Sequence, residues 1–280
     1  MNPSMLGVIP ETILAFLAGL LIGSFLNVCV FRLPRDLSVV APRSFCPGCE
    51  TMIAWYDNIP LLSYVILGGK CRHCKERIPV RYPIVELATG LAFAVIVAGL
   101  GLSLAALKYA VFSAILIGLI ASDFEERILP DEFTLGGLGV GLVFAAFVPL
   151  EIGLARVLLP MSVGERWASV GESVLGAVIA GGSIWFVAFA YEKIRHREGL
   201  GFGDVKMIAM IGAFLGLRLA LLTMIIASLF GAILGLIYIL LKGKDASTYE
   251  LPFGSFLGMA ALAVALVGQV LLVWYSNAAT

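Results

Sequence analysis

Two aspartates and four cysteines are the residues of this chain whose types and spacing point to chemistry. Asp123 follows a long apolar stretch, in Ser122-Asp123-Phe124-Glu125-Glu126-Arg127-Ile128-Leu129-Pro130-Asp131. Asp204 ends Gly199-Leu200-Gly201-Phe202-Gly203-Asp204 and opens another apolar stretch. Carboxylates at membrane depth are rare and read by default as functional. Two of them brought together at low dielectric share a proton, so one acts as base toward a water and the other as acid toward a carbonyl. That is aspartic-protease chemistry, which needs no nucleophilic Ser or Cys and no catalytic metal. Gly201 and Gly203 permit close approach of another chain, and Asp204 stands where a helix N-cap is expected. Taken singly, each aspartate also reads as a snorkelling interfacial charge. Glu125, Glu126, Asp131 and Glu132 read as solvated or helix-start residues, with Asp131 as the N-cap of the next helix.

Cys46-Pro47-Gly48-Cys49 and Cys71-Arg72-His73-Cys74 are two CxxC knuckles separated by 21 residues. Four thiolates suit tetrahedral Zn2+, and a tight two-residue turn lets two sulfurs meet one ion. A full set of four cysteines leaves no open coordination position, so the expected metal is structural. His73 reads as solvated, and the fifth cysteine, Cys29, as a small packing residue.

The elements that must position these groups are set by composition. Of the 280 residues, 60% are hydrophobic and 14% charged, with a mean hydropathy of +1.01, against a usual charged fraction of about 25%. The net charge of zero gives no reason to expect nucleic acid. The pattern predicts an all-α polytopic membrane protein of about eight transmembrane helices, over 12–31, 83–100, 104–122, 133–150, 172–191, 205–217, 219–241 and 254–275. If the 32–82 loop is cytoplasmic, fifteen Lys and Arg lie inside. Only Lys108, Arg156, Arg166 and Arg218 lie outside. Both aspartates then fall at the cytoplasmic face. The expected organisation is a first helix within 1–33, a small zinc-ribbon-like cytoplasmic domain over 34–82, and a membrane domain over 83–280. The last carries a periplasmic insertion, 151–171, read as an interfacial helix broken at Pro160. The first apolar run lacks the basic flank and small-residue site of a removable signal. Between Lys206 and Arg218 the apolar run is short for a span. Either Asp204 dips below the surface, or Arg218 snorkels and the helix continues into the next.

The chain also carries Gly23-Ser24-Phe25-Leu26-Asn27-Val28, Arg32-Leu33-Pro34, Asn58-Ile59-Pro60-Leu61-Leu62-Ser63-Tyr64, Gly69-Lys70-Cys71, Arg81-Tyr82-Pro83-Ile84-Val85-Glu86-Leu87 and Pro252-Phe253-Gly254. Together with the CxxC pairs and the aspartate motifs, this ordered set resembles the bacterial type IV prepilin peptidases, membrane aspartic proteases of the GxGD type. The resemblance covers nearly the whole chain. It implies Asp123 and Asp204 as the catalytic pair and prepilin or pseudopilin substrates with a transmembrane helix. It also implies a multi-pass protein of the bacterial inner membrane among its lipids, with the active site at the cytoplasmic face. It further implies methylation of the new N-terminus from S-adenosylmethionine. No GxGxxG follows a predicted strand, so a methyl-donor site is expected in the cytoplasmic domain and the end of the first span. Gly69, Lys70 and Glu86 are the cofactor-binding candidates. Each also has a plain reading, as a turn glycine, a solvated cation and a helix-start acid; Asn27 reads equally as an interhelical hydrogen bond. A peptidase without methylation is the nearest alternative. A proton-coupled transporter calls for carboxylates at the bilayer midplane, and a zinc-ribbon interaction module leaves Asp204 unexplained.

Overall fold

The structure is a computed structural model describing residues 3–160, 162–196, 201–242 and 252–278, so Gly199 and Leu200 lie outside the described residues. The chain divides into two compact units, Met1–Ser122 and Asp123–Thr280. Among the described residues it is helical, with two isolated β-bridges and no named strand.

In the first unit, α1 (Pro3–Arg32) is followed by a loop region, the short α2 (Leu62–Ile66), α3 (Arg81–Leu100) and most of α4 (Leu104–Glu126). The α1–α3 contact is built on small residues. A Cβ on Gly19 would stand 2.7 Å from the Thr89 carbonyl oxygen, and one on Gly23 would stand 2.7 Å from the Glu86 Cα. Without a hydrophobic drive between helices in lipid, such close backbone approach is what dispersion needs. Asn27 donates from Nδ2 to the Tyr82 carbonyl across the same contact, 3.1 Å, as its interhelical reading expected. Arg32 ends α1 and is buried. Its guanidinium donates to the carbonyls of Ser38, Pro42 and Arg43 at 2.8, 2.7 and 3.4 Å, folding the following loop back on the helix end.

The second unit begins on the last turn of α4. It contains α5 (Asp131–Ala145), α6 (Leu154–Leu158), α7 (Glu165–Arg195), α8 (Phe202–Leu215), α9 (Leu217–Lys242) and α10 (Phe253–Ala278). Helix α8 packs against α5 and α7 and lies inside this unit, with Met207, Ile208, Met210, Ile211, Ala213 and Phe214 all buried. From Met207 to Leu215 its apolar residues are buried apart from the half-buried Ala209, as a helix enclosed by protein requires, while Phe202 at its start is exposed. The α7–α8 contact is backbone to backbone, since a Cβ on Gly176 would stand 2.5 Å from the Gly212 carbonyl oxygen. Gly216, at φ 78°, separates α8 from α9. The continuous-helix alternative is therefore overturned, and Arg218 sits in the first turn of α9, paired with Glu151 at 2.8 Å.

The 151–171 segment is interrupted at Pro160, as expected. It holds a single helical turn, α6, that ends before Pro160, and α7 starts afresh at Glu165. Glu172, fully buried on α7, accepts the backbone N–H groups of Gly153 and Ala155 at 3.1 and 2.9 Å. It thereby satisfies donors that the N-terminus of α6 leaves open.

Among the described residues, five helices are long and apolar enough to cross a membrane: Ile9–Arg35, Arg81–Leu100, Leu104–Glu126, Glu165–Arg195 and Leu217–Ile237. Three expected spans are not among them. Helices α5 and α8 have 15 and 14 residues; the third expected span falls on α10, which runs 26 residues.

Candidate active site and metal centre

Each cysteine knuckle is built by the same local backbone pattern. Phe45 bridges Met52, and Lys70 bridges Arg77, pinching each CxxC turn. The Cys46 N–H donates to the Thr51 carbonyl at 3.0 Å, and the Cys71 N–H to the Glu76 carbonyl at 2.8 Å. The residue after each second cysteine, Glu50 or Lys75, takes a left-handed φ of 55° or 62°. The two knuckles are thus a structural repeat at an offset of 25 residues (71 less 46), invisible in the sequence beyond the cysteines themselves. Together they bring the four Sγ atoms within 4.8 Å of one another.

The Cys46–Cys74 and Cys49–Cys71 sulfurs stand 3.7 and 4.0 Å apart. Tetrahedral zinc with Zn–S bonds of about 2.3 Å requires sulfurs about 3.8 Å apart, so the donor set fits. Hydrogen bonding from Thr51 holds the Cys49 thiol down at about 6 and backbone N–H groups lower Cys71, whereas burial pushes Cys46 up and burial beside the other sulfurs pushes Cys74 up to about 12. His73 is exposed, as expected. A bidentate Arg72–Asp57 pair, at 2.8 and 2.6 Å, ties the second knuckle to the 3-10 turn Trp55–Asn58. The Arg72 guanidinium holds the Asp57 carboxyl below the usual carboxylate range.

The cofactor candidates are placed as follows. Gly69 is buried at φ 65°, its N–H donating to the Tyr64 carbonyl (2.9 Å) and its carbonyl accepting from Ile78 (2.8 Å). Lys70 is exposed. Glu86 is buried on α3; it accepts the Leu61 N–H at 2.8 Å and a hydrogen bond from Ser24. A cavity of about 300 Å³ lies where α1 ends, lined by Ser24, Phe25, Arg32, Arg43, Asn58 and Pro60 among others. Glu86 reaches its wall through Ser24, whereas Gly69 and Lys70 are not on it.

The two aspartates come together in the second unit. Asp123 does not follow α4 but lies on its last turn, because the helix runs on to Glu126. Asp204 is not an N-cap. Gly201 caps α8, and Asp204 is its third residue, reaching back to accept the Gly201 N–H as a side chain at that position does in a capping box. Asp131 is likewise the first residue of α5, with Pro130 at the cap, and its carboxylate pairs with Lys206 of α8. Only 6% and 8% of Asp123 and Asp204 is exposed, and the two carboxylates interact electrostatically.

Residues that sequence reasoning left without a role surround this pair. Leu129 lies against both helix starts. A Cβ on Gly203 would meet it at 3.1 Å, and one on Gly254 at 3.0 Å. A Cβ on Gly254 would also stand 3.2 Å from the Asp123 carboxyl carbon, so a side chain there presses on the carboxylate itself. Ser255, buried in the first turn of α10, donates from both N and Oγ to Asp123 Oδ2, each at 2.6 Å. Asp204 thus sits in the first turn of α8, and Asp123, on the last turn of α4, faces the N-terminus of α10, where open N–H groups and the helix dipole favour an anion.

Comparison with known proteins fits this geometry. Residues 17–100 match the bacterial peptidase A24 N-terminal domain, and residues 110–236 match the type IV leader peptidase family. A prepilin leader peptidase/N-methyltransferase of Pseudomonas putida is 33% identical, over 91% of this chain and 90% of that protein. The chain belongs to the type IV leader peptidase family. Two further relatives of the same name, from Pseudomonas aeruginosa and Neisseria gonorrhoeae, are 34% and 32% identical. They cover 92% and 82% of this chain and 88% and 83% of their own length. No solved structure matches the chain. Five membrane-length helices in a leader peptidase of this family make a multi-pass protein of the inner membrane.

Proposed function

We propose that this leader peptidase removes the short basic leader of type IV prepilins and pseudopilins with Asp123 and Asp204, and then methylates the new N-terminal amine. The observation that carries the peptidase reading is the pair of buried, interacting carboxylates, Asp204 in the first turn of α8 and Asp123 on the last turn of α4 against the start of α10. In this reaction one carboxylate takes a proton from a water whose oxygen bonds to the scissile carbonyl carbon. The other gives a proton to the carbonyl oxygen. The tetrahedral intermediate then collapses: the C–N bond breaks, the departing amine receives the proton taken from the water, and the C=O bond re-forms as one hydroxyl returns its proton to the carboxylate that had given it. The chemistry draws on no Ser, Cys or metal. The substrates reach the site as chains with a transmembrane helix, within the lipid, and the site opens to the cytoplasmic face as the distribution of basic residues requires. Eight helices crossing the bilayer, with α5, α8 and α10 among them, complete that topology.

Residues 34–82 form the cytoplasmic metal domain, holding structural zinc through Cys46, Cys49, Cys71 and Cys74. The methyl donor, S-adenosylmethionine, supplies an electrophilic methyl group. The cavity at the end of α1 has the size that small-ligand sites begin at, about 300 Å³. Phe25 and Pro60 offer apolar walls there, and Ser24, Asn58 and Arg43 polar ones; the Arg32 guanidinium is occupied with loop carbonyls. Glu86 orients Ser24, and Gly69 and Lys70 shape the second knuckle behind. The amine to be methylated has an ordinary pKa of about 8, so positioning and a dry approach matter more than a strong base. The test is purified full-length protein with an intact prepilin, followed by mass spectrometry of the product N-terminus. Leader loss and one added methyl group are the expected result. An intact precursor would overturn the peptidase reading, and an unmethylated product the second activity.

A further inference from the structure

We infer that Ser255 is a positioning residue for the reaction, holding Asp123 so that Oδ1, and not Oδ2, is the oxygen that exchanges a proton with the attacking water. The inference rests on the proposed catalytic role of Asp123. Its own basis is the hydrogen-bond geometry. Both the N–H and the hydroxyl of Ser255 reach a single oxygen, Asp123 Oδ2, at 2.6 Å. The N–H and the hydroxyl of Ser255 both donate to Oδ2 and engage both of its lone pairs, so in this arrangement the catalytic proton is not on Oδ2. The carboxyl group cannot rotate to exchange its oxygens without breaking both contacts, which are short, charge-assisted and buried. Oδ1 is thereby left for the water.

The helix supplies one of the two donors at no cost to itself. Ser255 is the third residue of α10, where a backbone N–H has no partner within the helix. Gly254 makes room, because a Cβ at that position would stand 3.2 Å from Asp123 Oδ2. Pro252-Phe253-Gly254 thus delivers the donor pair of Ser255 to the carboxylate at the end of α4.

A graded series tests this. Ser255→Ala keeps the N–H and loses the hydroxyl. Ser255→Pro loses both donors, in a first helical turn where proline is tolerated. With full-length enzyme and a full-length prepilin, kcat falls about ten- to hundredfold for alanine, and further for proline, while KM is unchanged. The thermal unfolding midpoint and methyl transfer to pre-cleaved pilin stay near wild type in the alanine variant, which separates positioning from folding. Wild-type kcat in Ser255→Ala overturns the inference, as does a loss that appears in KM alone. Asp123→Asn run alongside distinguishes the two claims. If it is inactive while Ser255→Ala is unaffected, only the positioning role fails. If Asp123→Asn cleaves normally, the proposed dyad itself fails.

Discussion

Gly68 and Gly69 permit a two-step test of how the second knuckle is held. Both have left-handed φ angles, 60° and 65°. A Cβ on Gly68 would meet nothing within 4 Å, whereas one on Gly69 would press on the Tyr64 ring and hydroxyl at 3.0 Å. Gly68→Ala therefore costs the backbone penalty alone, about 1–2 kcal/mol. Gly69→Ala adds overpacking of about 1–2 kcal/mol, for a total of about 2–4 kcal/mol. At 1.4 kcal/mol per tenfold, the knuckle opens about five- to thirtyfold more often in the first variant and about thirty- to several-hundredfold more often in the second. The Gly69 amide and carbonyl join Tyr64 to Ile78, so opening there frees the segment that carries Cys71 and Cys74. The rate of metal release to an excess of chelator reads it directly, with the order wild type, Gly68→Ala, Gly69→Ala. Equal rates for the two variants would refute the Tyr64 contact as the cause. In Gly69→Asp, which adds an anion to the same clash, methyl incorporation falls more than leader removal, scored on one sample.

Elemental analysis of active, reduced protein gives about one zinc per chain. Replacing both cysteines of either knuckle with alanine removes it and makes 34–82 sensitive to limited proteolysis. Glu172→Ala leaves the buried N–H groups of Gly153 and Ala155 without their acceptor, so thermal unfolding in detergent loses about 2–4 kcal/mol. A midpoint unchanged from wild type would show that these donors find another acceptor.

Much of the fold was legible because membrane helices are written in apolar length, and the metal centre because cysteine spacing is nearly its geometry. Five of the expected spans coincide with helices of membrane length. Boundaries were less legible. Asp123, Asp131 and Asp204 each lie one to four residues further into a helix than expected. The caps are Pro130 and Gly201, supplied by backbone geometry, while the acidic side chains were the visible signal. Ser255 was missed because the pairing spans 132 residues, and a lone serine after Pro-Phe-Gly carries no spacing to read. Glu172 did offer a signal, as an acidic residue on an apolar helix. Its partners are the amides of Gly153 and Ala155, whose placement depends on how the insertion folds.

The central claim is that Asp123 and Asp204 together cleave the leader. Its most direct test is single-turnover cleavage of a full-length prepilin by Asp123→Asn and Asp204→Asn, with methyl transfer to pre-cleaved pilin measured on the same preparations. Asparagine keeps the shape of the side chain and cannot exchange the proton. Neither variant removes the leader detectably, and both retain methyl transfer. Cleavage by either variant at near the wild-type rate would contradict it.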